Sequence, residues 1–144
     1  MVEVKFYDSV DDHLLKFAVT IAKTGGKWVF CRHRERDTYE VPGGHREHGE
    51  DILETARREL KEETGATAFD IKPICVYSVK GKTRVNENIT DETFGMLYIA
   101  DIISFEELNS EIEEILVTDS LIDNWTYPFI QPQLIEEAKN RGYI

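Results

Sequence analysis

The ten residues 41–50, VPGGHREHGE, run directly into a helical pattern, and this succession constrains the fold more than any other part of the sequence. Pro42 restricts the backbone, whereas Gly43 and Gly44 let it turn tightly or pass close to another group. Beyond them, apolar residues recur at three- and four-residue steps, which predicts a helix that ends near Gly65, a typical C-terminal glycine cap. The chain must therefore place a tight glycine turn immediately before a helix.

The predicted helix carries an apolar stripe and an acidic cluster. The stripe consists of Ile52, Leu53, Ala56 and Leu60. Glu59, Glu62 and Glu63 are expected to project from one side of the helix, opposite much of this stripe. Carboxylates at this spacing repel one another, and a hard divalent cation such as Mg²⁺ would reverse the sign of that interaction. The alternative is a solvated acidic face, which is the usual role of a run of glutamates.

Length, charge and cysteine content exclude several classes of protein. A chain of 144 residues is most simply a single domain, 1–144. No apolar run approaches the roughly 20 residues that span a bilayer, so we expect no membrane partner. A net charge of -11 would be repelled by duplex nucleic acid and anionic lipid. The absence of a secretory signal pattern, together with Cys31 and Cys75 in apolar strand-like runs, indicates a reducing cytoplasm with both thiols buried.

Strand-like segments on both sides of the helix predict an α+β fold. The alternating run LLKFAVTIAK and the run KWVFCRHR are separated by Thr24-Gly25-Gly26, which predicts a hairpin. The segment TYEV predicts a short strand before the glycine turn. Further strands are predicted at 71–79, 94–103 and 115–117, and a second helix at 130–139. This order of elements is typical of a sheet packed against helices.

Fixed distances separate the glycine turn, the acids and one arginine. Gly44 is followed after five residues by Glu50, after seven more by Arg58-Glu59-Leu60, after one more by Glu62-Glu63, and after one more by Gly65 and Ala66. This spacing resembles the signature of the Nudix hydrolases, G-x5-E-x7-R-E-U-x-E-E-x-G-U, in which U is an aliphatic residue. We call residues 44–66 the Nudix box. Its last residue is smaller than the usual Ile, Leu or Val, which affects packing more than chemistry.

The resemblance implies a fold, a reaction and a cofactor. The implied fold is an α/β/α sandwich with a mixed central sheet, in which the Nudix box forms a loop, a helix and a loop. The implied reaction cleaves a pyrophosphate bond of a nucleoside diphosphate linked to another group, with Mg²⁺ or Mn²⁺ as cofactor. The implied metal ligands are Glu59, Glu62, Glu63 and the carbonyl group of Gly43. Oxygen ligands suit Mg²⁺, and a carboxylate could accept the proton of the attacking water.

The resemblance leaves open which acid accepts that proton. Glu59 is the first choice within the Nudix box. Glu111 and then Glu114, in the segment NSEIEEILVT, are the choices from a later loop, and a solvated acidic loop accounts for them equally well. The resemblance also implies that Arg58 pairs with Glu50 and so fastens the helix to the preceding loop, which would make its contribution to catalysis one of geometry.

The substrate is predicted by weaker similarities. The segments KWVFCRHRERDTYEVPGG and NWTYPFIQPQL are similar to parts of the MutT-type nucleoside triphosphate pyrophosphatases, which include 8-oxo-dGTP diphosphatases. We therefore expect a small nucleotide as partner and a chain that is a monomer or a homodimer. The alternatives are an ADP-ribose or dinucleoside polyphosphate pyrophosphatase, and a non-catalytic nucleotide sensor on the same fold.

Six residues are candidates for contact with the substrate. Arg32 and Arg34 alternate with Arg36 and could meet phosphate oxygens, although such a row is often an exposed strand edge. An amide and an indole could read and stack a base, although a core tryptophan is more common. The six candidates are Gly44, His45, Arg32, Arg34, Asn124 and Trp125.

The two histidines of the opening stretch raise a further alternative, a zinc site. His45 and His48 are three residues apart in a predicted loop, with no cysteine and no third histidine at zinc spacing nearby. We therefore expect both to be loop residues near the phosphate groups of the substrate.

Overall fold

The computed structural model describes residues 2–81, 91–106 and 112–144, which form seven strands and two α-helices. In chain order the elements are β1 (Glu3–Tyr7), β2 (Leu15–Thr24), β3 (Lys27–His33), β4 (Gly43–His45), α1 (Ile52–Thr64), β5 (Ala66–Lys80), β6 (Glu92–Phe105), β7 (Ile112–Thr118) and α2 (Gln131–Asn140). A single turn of 3-10 helix, Asp12–Leu14, precedes β2.

The strands form one mixed sheet in the order β1-β5-β6-β2-β3-β7, and β4 pairs with β2 beside this path. The pair β2 and β6 is parallel, and the other pairs are antiparallel. β2 pairs with β3 only at residues 22–24 and with β4 at 17–19. The strand β3 therefore separates from β2 where the glycine turn runs between them, which leaves room for a site.

The two helices cover opposite faces of the sheet. Successive residues of a strand face opposite sides, so β2 contributes Ala18 to the core beneath α1 and Val19 to the core beneath α2. On α1, Ala56 and Leu60 are buried against the sheet. On α2 the packing residues are Leu134, Ile135 and Ala138. The predicted α/β/α sandwich with a mixed sheet is therefore confirmed.

Local signals fix the ends of α1 where the sequence predicts them. The Asp51 carboxylate accepts the Glu54 N–H at 2.8 Å, and the Glu54 carboxylate accepts the Asp51 N–H at 3.1 Å, which is a capping box. At the other end Gly65 adopts a left-handed backbone with φ 77°, and its N–H donates to the Lys61 carbonyl at 2.9 Å. Both ends of α1 thus follow from short-range interactions.

Several strand predictions need correction. β5 and β6 are longer than the predicted strands 71–79 and 94–103, because the two strands pair with each other along almost their whole length. The segment TYEV makes only isolated bridges, from Glu40 to Cys31 and from Tyr39 to Trp125. His45 was predicted in a loop but lies in β4, opposite Phe17. Glycine-rich β4 lacks the side-chain pattern that identifies a strand, so only its pairing with β2 reveals it.

The remaining expectations concern the cysteines and the membrane. Cys31 and Cys75 are both buried as free thiols, as predicted. None of the helices in the described ranges has the length and apolar character that a bilayer crossing requires.

Candidate active site

A cavity of about 630 Å³ opens between the first half of β2, β4, α1 and the segment that leads into α2. Its lining has two chemical characters. Acidic side chains and the paired glycines Gly43 and Gly44 form one part, and aromatic and aliphatic side chains form another. The latter are Phe17, Val19, Val41, Tyr77, Val79, Tyr127 and Ile130. A mostly apolar cavity of this size with a few polar groups is typical of a ligand site.

Glu59 reaches the cavity by passing directly over Gly44. A Cβ atom on Gly44 would lie 2.6 Å from Oε1 of Glu59, which is closer than any real contact of this kind. The carboxylate therefore needs a glycine at position 44 to occupy its observed place. This is the physical reason for the spacing of the two residues in the Nudix box.

Glu63 lies one helical turn further along α1, and its side chain is only 10% exposed. One carboxylate oxygen accepts the Gly43 N–H at 2.7 Å, and the other lies 3.1 Å from His33 Nε2. The glycine turn therefore binds the acid through its N–H group. Gly43 has no room for a side chain, since a Cβ would lie 2.6 Å from the Ala18 carbonyl oxygen.

The third acid of the cluster occupies a different position. Glu62 is 54% exposed, and its carboxylate lies 3.4 Å from Arg58 Nη1. The prediction that all three acids stand opposite the apolar stripe is wrong, because Glu59 and Glu63 share the inward side of α1 with buried Ala56. Residues separated by three, four or seven positions lie on the same side of a helix. Within the described ranges, no three acidic, histidine or cysteine side chains are grouped as a preformed cation cage.

Burial and mutual repulsion define the electrostatics of the two inward acids. Burial, followed by the negative charge of Glu63, raises the pKa of Glu59 to about 7, and the cation of Arg58 opposes this rise. Carboxylates held together in this way fit a hard divalent cation, which would offset both the repulsion and the burial of charge. A pair of protein carboxylates suffices for Mg²⁺, since this ion usually keeps several waters and also binds substrate phosphates.

Arg58 joins the helix to the loop before it. Its Nε donates to Glu50 Oε2 at 2.6 Å and its Nη2 to Glu50 Oε1 at 3.1 Å, which is the predicted pairing in a two-pronged form. Its Nη1 donates to Glu59 at 2.6 Å, and its Nη2 also donates to the His45 carbonyl at 3.0 Å. The hydrogen bond from Arg58, followed by one from the Glu47 N–H, lowers the pKa of Glu50 to about 2.

A buried polar group that the sequence analysis missed also lines the cavity. Glu40 is 5% exposed, and its Oε1 accepts Arg36 Nη1 at 2.8 Å. Its Oε2 lies 3.8 Å from His33 Nε2, which connects it to Glu63. Burial raises the pKa of Glu40, and the hydrogen bond to Glu63 raises that of His33. A charged residue within the strand-like segment TYEV was the available signal, and it does not distinguish a buried site residue from an exposed one.

The candidates on β3 and β7 form a separate cluster. Arg32 Nε donates to Glu114 at 3.1 Å, and Glu114 also accepts the Tyr39 hydroxyl. These hydrogen bonds, that from Tyr39 first, lower the pKa of Glu114. Of the residues that the structure describes, Arg32, Arg34 and Glu114 are not among those lining the cavity. Glu111 lies outside the described residues.

The carboxy-terminal candidates Asn124 and Trp125 are not among the described residues that line the cavity. Asn124 Nδ2 donates to the Asp37 carbonyl at 3.3 Å, and the Trp125 ring packs edge-on against Phe30 at 5.4 Å within the core. Their contact with a base stays a prediction. Tyr127, Ile130 and Gln131 of the same segment do line the cavity, as do Gly44 and His45.

Gly44→Ala is expected to abolish most activity and leave the fold intact. The new Cβ meets the far end of the Glu59 side chain, which can swing away at small cost in stability, but the carboxylate then leaves the cavity. We expect kcat/KM to fall about 10²-fold or more, with a change in unfolding temperature of only a few degrees. Steady-state kinetics and thermal unfolding measure both quantities. Gly142→Ala is the control for loss of a glycine whose side chain would meet no other atom; its φ of 84° strains an alanine, so it should lose some stability and keep its activity. Equal losses of activity in the two variants would contradict this reading.

The sequence and the fold match known proteins along nearly the whole chain. Residues 13–139 match the sequence profile of the NUDIX domain. Over 154 aligned positions the chain is 37% identical to "Putative 8-oxo-dGTP diphosphatase YtkD" of Bacillus subtilis (strain 168), covering 99% of this chain and 92% of the relative.

Two solved structures have folds similar to that of this chain. The crystal structure of a variant of the Bacillus subtilis pyrophosphohydrolase BsRppH matches with a TM-score of 0.78 and 28% identity, over 99% of this chain and 92% of that one. An Ap4A hydrolase from C. elegans matches with a TM-score of 0.62 over 87% and 97% of the two chains, and its identity of 18% shows the fold alone.

Proposed function

This chain belongs to the Nudix family of pyrophosphohydrolases, and from that premise we propose that it hydrolyses nucleoside triphosphates with a divalent cation. The products are a nucleoside monophosphate and pyrophosphate. The observation that carries the proposal is the pair of inward carboxylates, Glu59 and Glu63, beside the Gly43-Gly44 turn in the wall of a cavity.

The glycine turn, the acids of α1 and Arg58 each have a distinct proposed task. Glu59 and Glu63, with the Gly43 carbonyl, would hold Mg²⁺ or Mn²⁺, and exposed Glu62 would bind it only through a change of side-chain position. When bound, the cation supplies charge neutralisation on the phosphates and a lowered pKa for the attacking water. Glu59 is our proposed proton acceptor because its carboxylate lies in the cavity wall. Its pKa of about 7 belongs to the metal-free protein, and a bound cation would lower it. Arg58 keeps this carboxylate in position.

We propose oxidised dGTP as one substrate. This is supported by the 37% identical relative whose name refers to 8-oxo-dGTP. The apolar wall of the cavity, which includes Phe17 and Tyr77, suits a flat base, and the cations Lys16 and Arg36 on its lining suit phosphate oxygens. Buried free thiols at Cys31 and Cys75 support a reducing compartment such as the cytoplasm.

A panel of substrates tests the proposal. The purified protein is incubated with Mg²⁺ and each of dGTP, 8-oxo-dGTP, dATP, ADP-ribose and a dinucleoside polyphosphate, and the release of monophosphate and pyrophosphate is quantified. We expect turnover of the triphosphates to exceed that of the other compounds. Faster hydrolysis of ADP-ribose or of the dinucleoside polyphosphate would show that the proposed substrate class is wrong. Binding without turnover of any compound would favour a nucleotide sensor.

Mg²⁺ is expected to raise the unfolding temperature more at about pH 8 than at about pH 6. In the metal-free protein the pKa of Glu59 is raised from its ordinary value of 4.5 to about 7. The stability linked to the protonated carboxyl is therefore fully present below pH 4.5 and is lost as the pH rises through about 7. Mg²⁺ binds the ionised carboxylate, and its stabilising effect therefore grows over the same range. Thermal unfolding with and without MgCl₂ measures this difference. A shift that does not change with pH would exclude Glu59 as a ligand.

A further inference from the structure

A polar network links one of the inward acids of α1 to the loop that follows β3. Glu63 Oε2 lies 3.1 Å from His33 Nε2, and the same nitrogen lies 3.8 Å from Glu40 Oε2. The other oxygen of Glu40 accepts Arg36 Nη1 at 2.8 Å. All four side chains line the cavity. Each of the two carboxylates therefore has a nitrogen donor beside it.

Backbone hydrogen bonds hold three members of this network close together. The backbones of Cys31 and Glu40 exchange two hydrogen bonds of 2.9 Å, which close the loop between these residues. Within the loop the Arg36 N–H donates to the His33 carbonyl at 3.1 Å. The loop therefore fixes the spacing of His33, Arg36 and Glu40, and His33 extends the network to Glu63 on α1.

The burial of Glu40 favours a task at the cavity over a contribution to stability. Its residue is 5% exposed, and its neighbour Val41 packs in the apolar core. A buried ion pair seldom stabilises a fold more than well-packed apolar residues of similar volume would, because both charges lose their hydration. An acid at this position is therefore better explained by what its charge does to the adjacent His33.

The Glu63 carboxylate receives a donor on each of its oxygens. The Gly43 N–H donates to Oε1 at 2.7 Å, and His33 Nε2 lies 3.1 Å from Oε2. A carboxylate oxygen has two lone pairs, so a lone pair on each oxygen remains for a further partner. Donors on both oxygens also fix the rotation of the carboxylate about its terminal bond. Partners that orient a ligand in this way raise its affinity for a metal ion.

We propose that His33 is a positioning residue for the divalent cation, which holds the Glu63 carboxylate in the orientation that binds the ion, and that Glu40 holds His33. This inference rests on the proposed metal-dependent hydrolysis. In this arrangement His33 donates its Nε2–H to Glu63. Glu40, itself held by Arg36, keeps the edge of the imidazole ring between the two acids.

A direct contact between His33 Nε2 and a phosphate group of the substrate is less favourable. This nitrogen already lies beside two carboxylates, at 3.1 and 3.8 Å, and a third anion at the same place would be repelled by both. The His33 side chain is only 21% exposed, so little of the ring is open to a ligand. Its position therefore suits the support of Glu63 better than the binding of a phosphate.

Mn²⁺ binding by His33→Leu tests the role of His33. Mn²⁺ is titrated into the nucleotide-free protein, and the free ion is quantified by electron paramagnetic resonance, which requires no turnover. We expect the Kd of Mn²⁺ to rise by about 10–10²-fold in His33→Leu and by less in His33→Gln, whose amide can still donate. Thermal unfolding shows that each variant is folded at the temperature of the titration. His13→Leu, the same change at an exposed position before β2, should bind Mn²⁺ as the wild type does.

A double-mutant cycle tests whether Glu40 acts through His33. Glu40→Gln keeps an oxygen that can accept from Arg36 and removes the negative charge beside His33. We expect this change to weaken Mn²⁺ binding by about 3–10-fold in the wild-type background and to have no further effect in the His33→Leu background. Equal effects in both backgrounds would mean that Glu40 acts on the ion directly, and would overturn its proposed role.

The titration and a nucleotide hydrolysis assay together distinguish this proposal from the proposed function. Unchanged Mn²⁺ affinity in His33→Leu, with a lower unfolding temperature or without one, would overturn the role of His33 and leave the proposed function standing. Mn²⁺ affinity that depends on His33, in a protein that hydrolyses none of the nucleotides, would support the positioning role and overturn the proposed function. A wild-type protein that binds no Mn²⁺ would overturn both.

Discussion

Glu59→Gln is expected to lower kcat by about 10²–10⁴-fold at saturating nucleotide and metal. The amide has nearly the shape of the carboxylate, so it can remain over Gly44 and accept the Arg58 hydrogen bond observed at 2.6 Å. It has neither the negative charge that holds a cation nor the basicity that accepts a proton. Kinetics with Mg²⁺ and with Mn²⁺ measure the loss, and an undiminished kcat would remove Glu59 from the reaction.

The same change should make the metal-free protein more stable. Burial raises the pKa of Glu59 to about 7, so its ionised form costs folding free energy at higher pH, and a neutral amide does not. We expect the unfolding temperature of Glu59→Gln without metal to exceed that of the wild type at about pH 8, and the effect of Mg²⁺ on it to fall. Glu136→Gln, an exposed acid of α2, is the control and should change neither activity nor stability. A less stable Glu59→Gln would contradict the electrostatic argument.

Arg58→Ala is expected to reduce both stability and activity. The change removes hydrogen bonds to Glu50, Glu59 and the His45 carbonyl and leaves two acids without their cation. We expect a loss of about 2–4 kcal/mol in the free energy of unfolding and a decrease of about 5–10 °C in unfolding temperature. kcat/KM should fall by about 10–10²-fold, because the Glu59 carboxylate is no longer held in place.

The pH dependence of folding stability and that of the reaction rate distinguish the contact of Arg58 with Glu50 from its contact with Glu59. The pKa of Glu50 is lowered to about 2, so its stabilising contribution is present above its ordinary value of 4.5 and is lost as the pH falls through about 2. The stability difference between wild type and Arg58→Ala should therefore shrink over that range. Arg58 also lowers the pKa of Glu59, so the acidic limb of the pH–rate profile should move to higher pH in the variant.

Two further variants test the geometry of this arginine. Arg58→Lys keeps the charge but cannot form the two-pronged contact with Glu50, and we expect it to recover only part of the stability. Arg57→Ala removes an exposed neighbour whose guanidinium lies 5.7 Å from the Phe69 ring, and we expect little change in activity. An Arg57→Ala variant as inactive as Arg58→Ala would mean that the effect arises from the helix in general.

The sequence was a good guide to the parts of the site that depend on short-range interactions. The bounds of α1 follow from the capping residues Asp51 and Gly65, and the contact of Arg58 with Glu50 spans two elements that are adjacent in the chain. The spacing of Gly44 and Glu59 also reflects a direct contact, since the carboxylate occupies the space that a side chain would fill.

The sequence was a poor guide wherever a contact joins distant parts of the chain. The inward direction of Glu59 and Glu63 depends on which side of α1 faces the sheet. From helical spacing alone, these two acids were placed on the wrong side of the helix. The buried Glu40 is recognisable only once β3 and the glycine turn are brought together. Gln131 contacts Val41, which is 90 positions away, and no local pattern signals such a pair.

The amino-acid sequence by itself determined the family, the helix with its caps and the identity of the acids, because these depend on neighbours within a few residues. Tertiary structure decided which of those acids turn inward, how strongly burial shifts their pKa values, and which side chains complete the cavity. Burial and orientation are properties of packed elements. Packing brings together residues that are far apart in the chain, and no local sequence pattern predicts these contacts. The glycines at 43 and 44 belong to both levels: their place was visible in the sequence, and their close contacts with Ala18, Glu59 and Glu63 only in the fold.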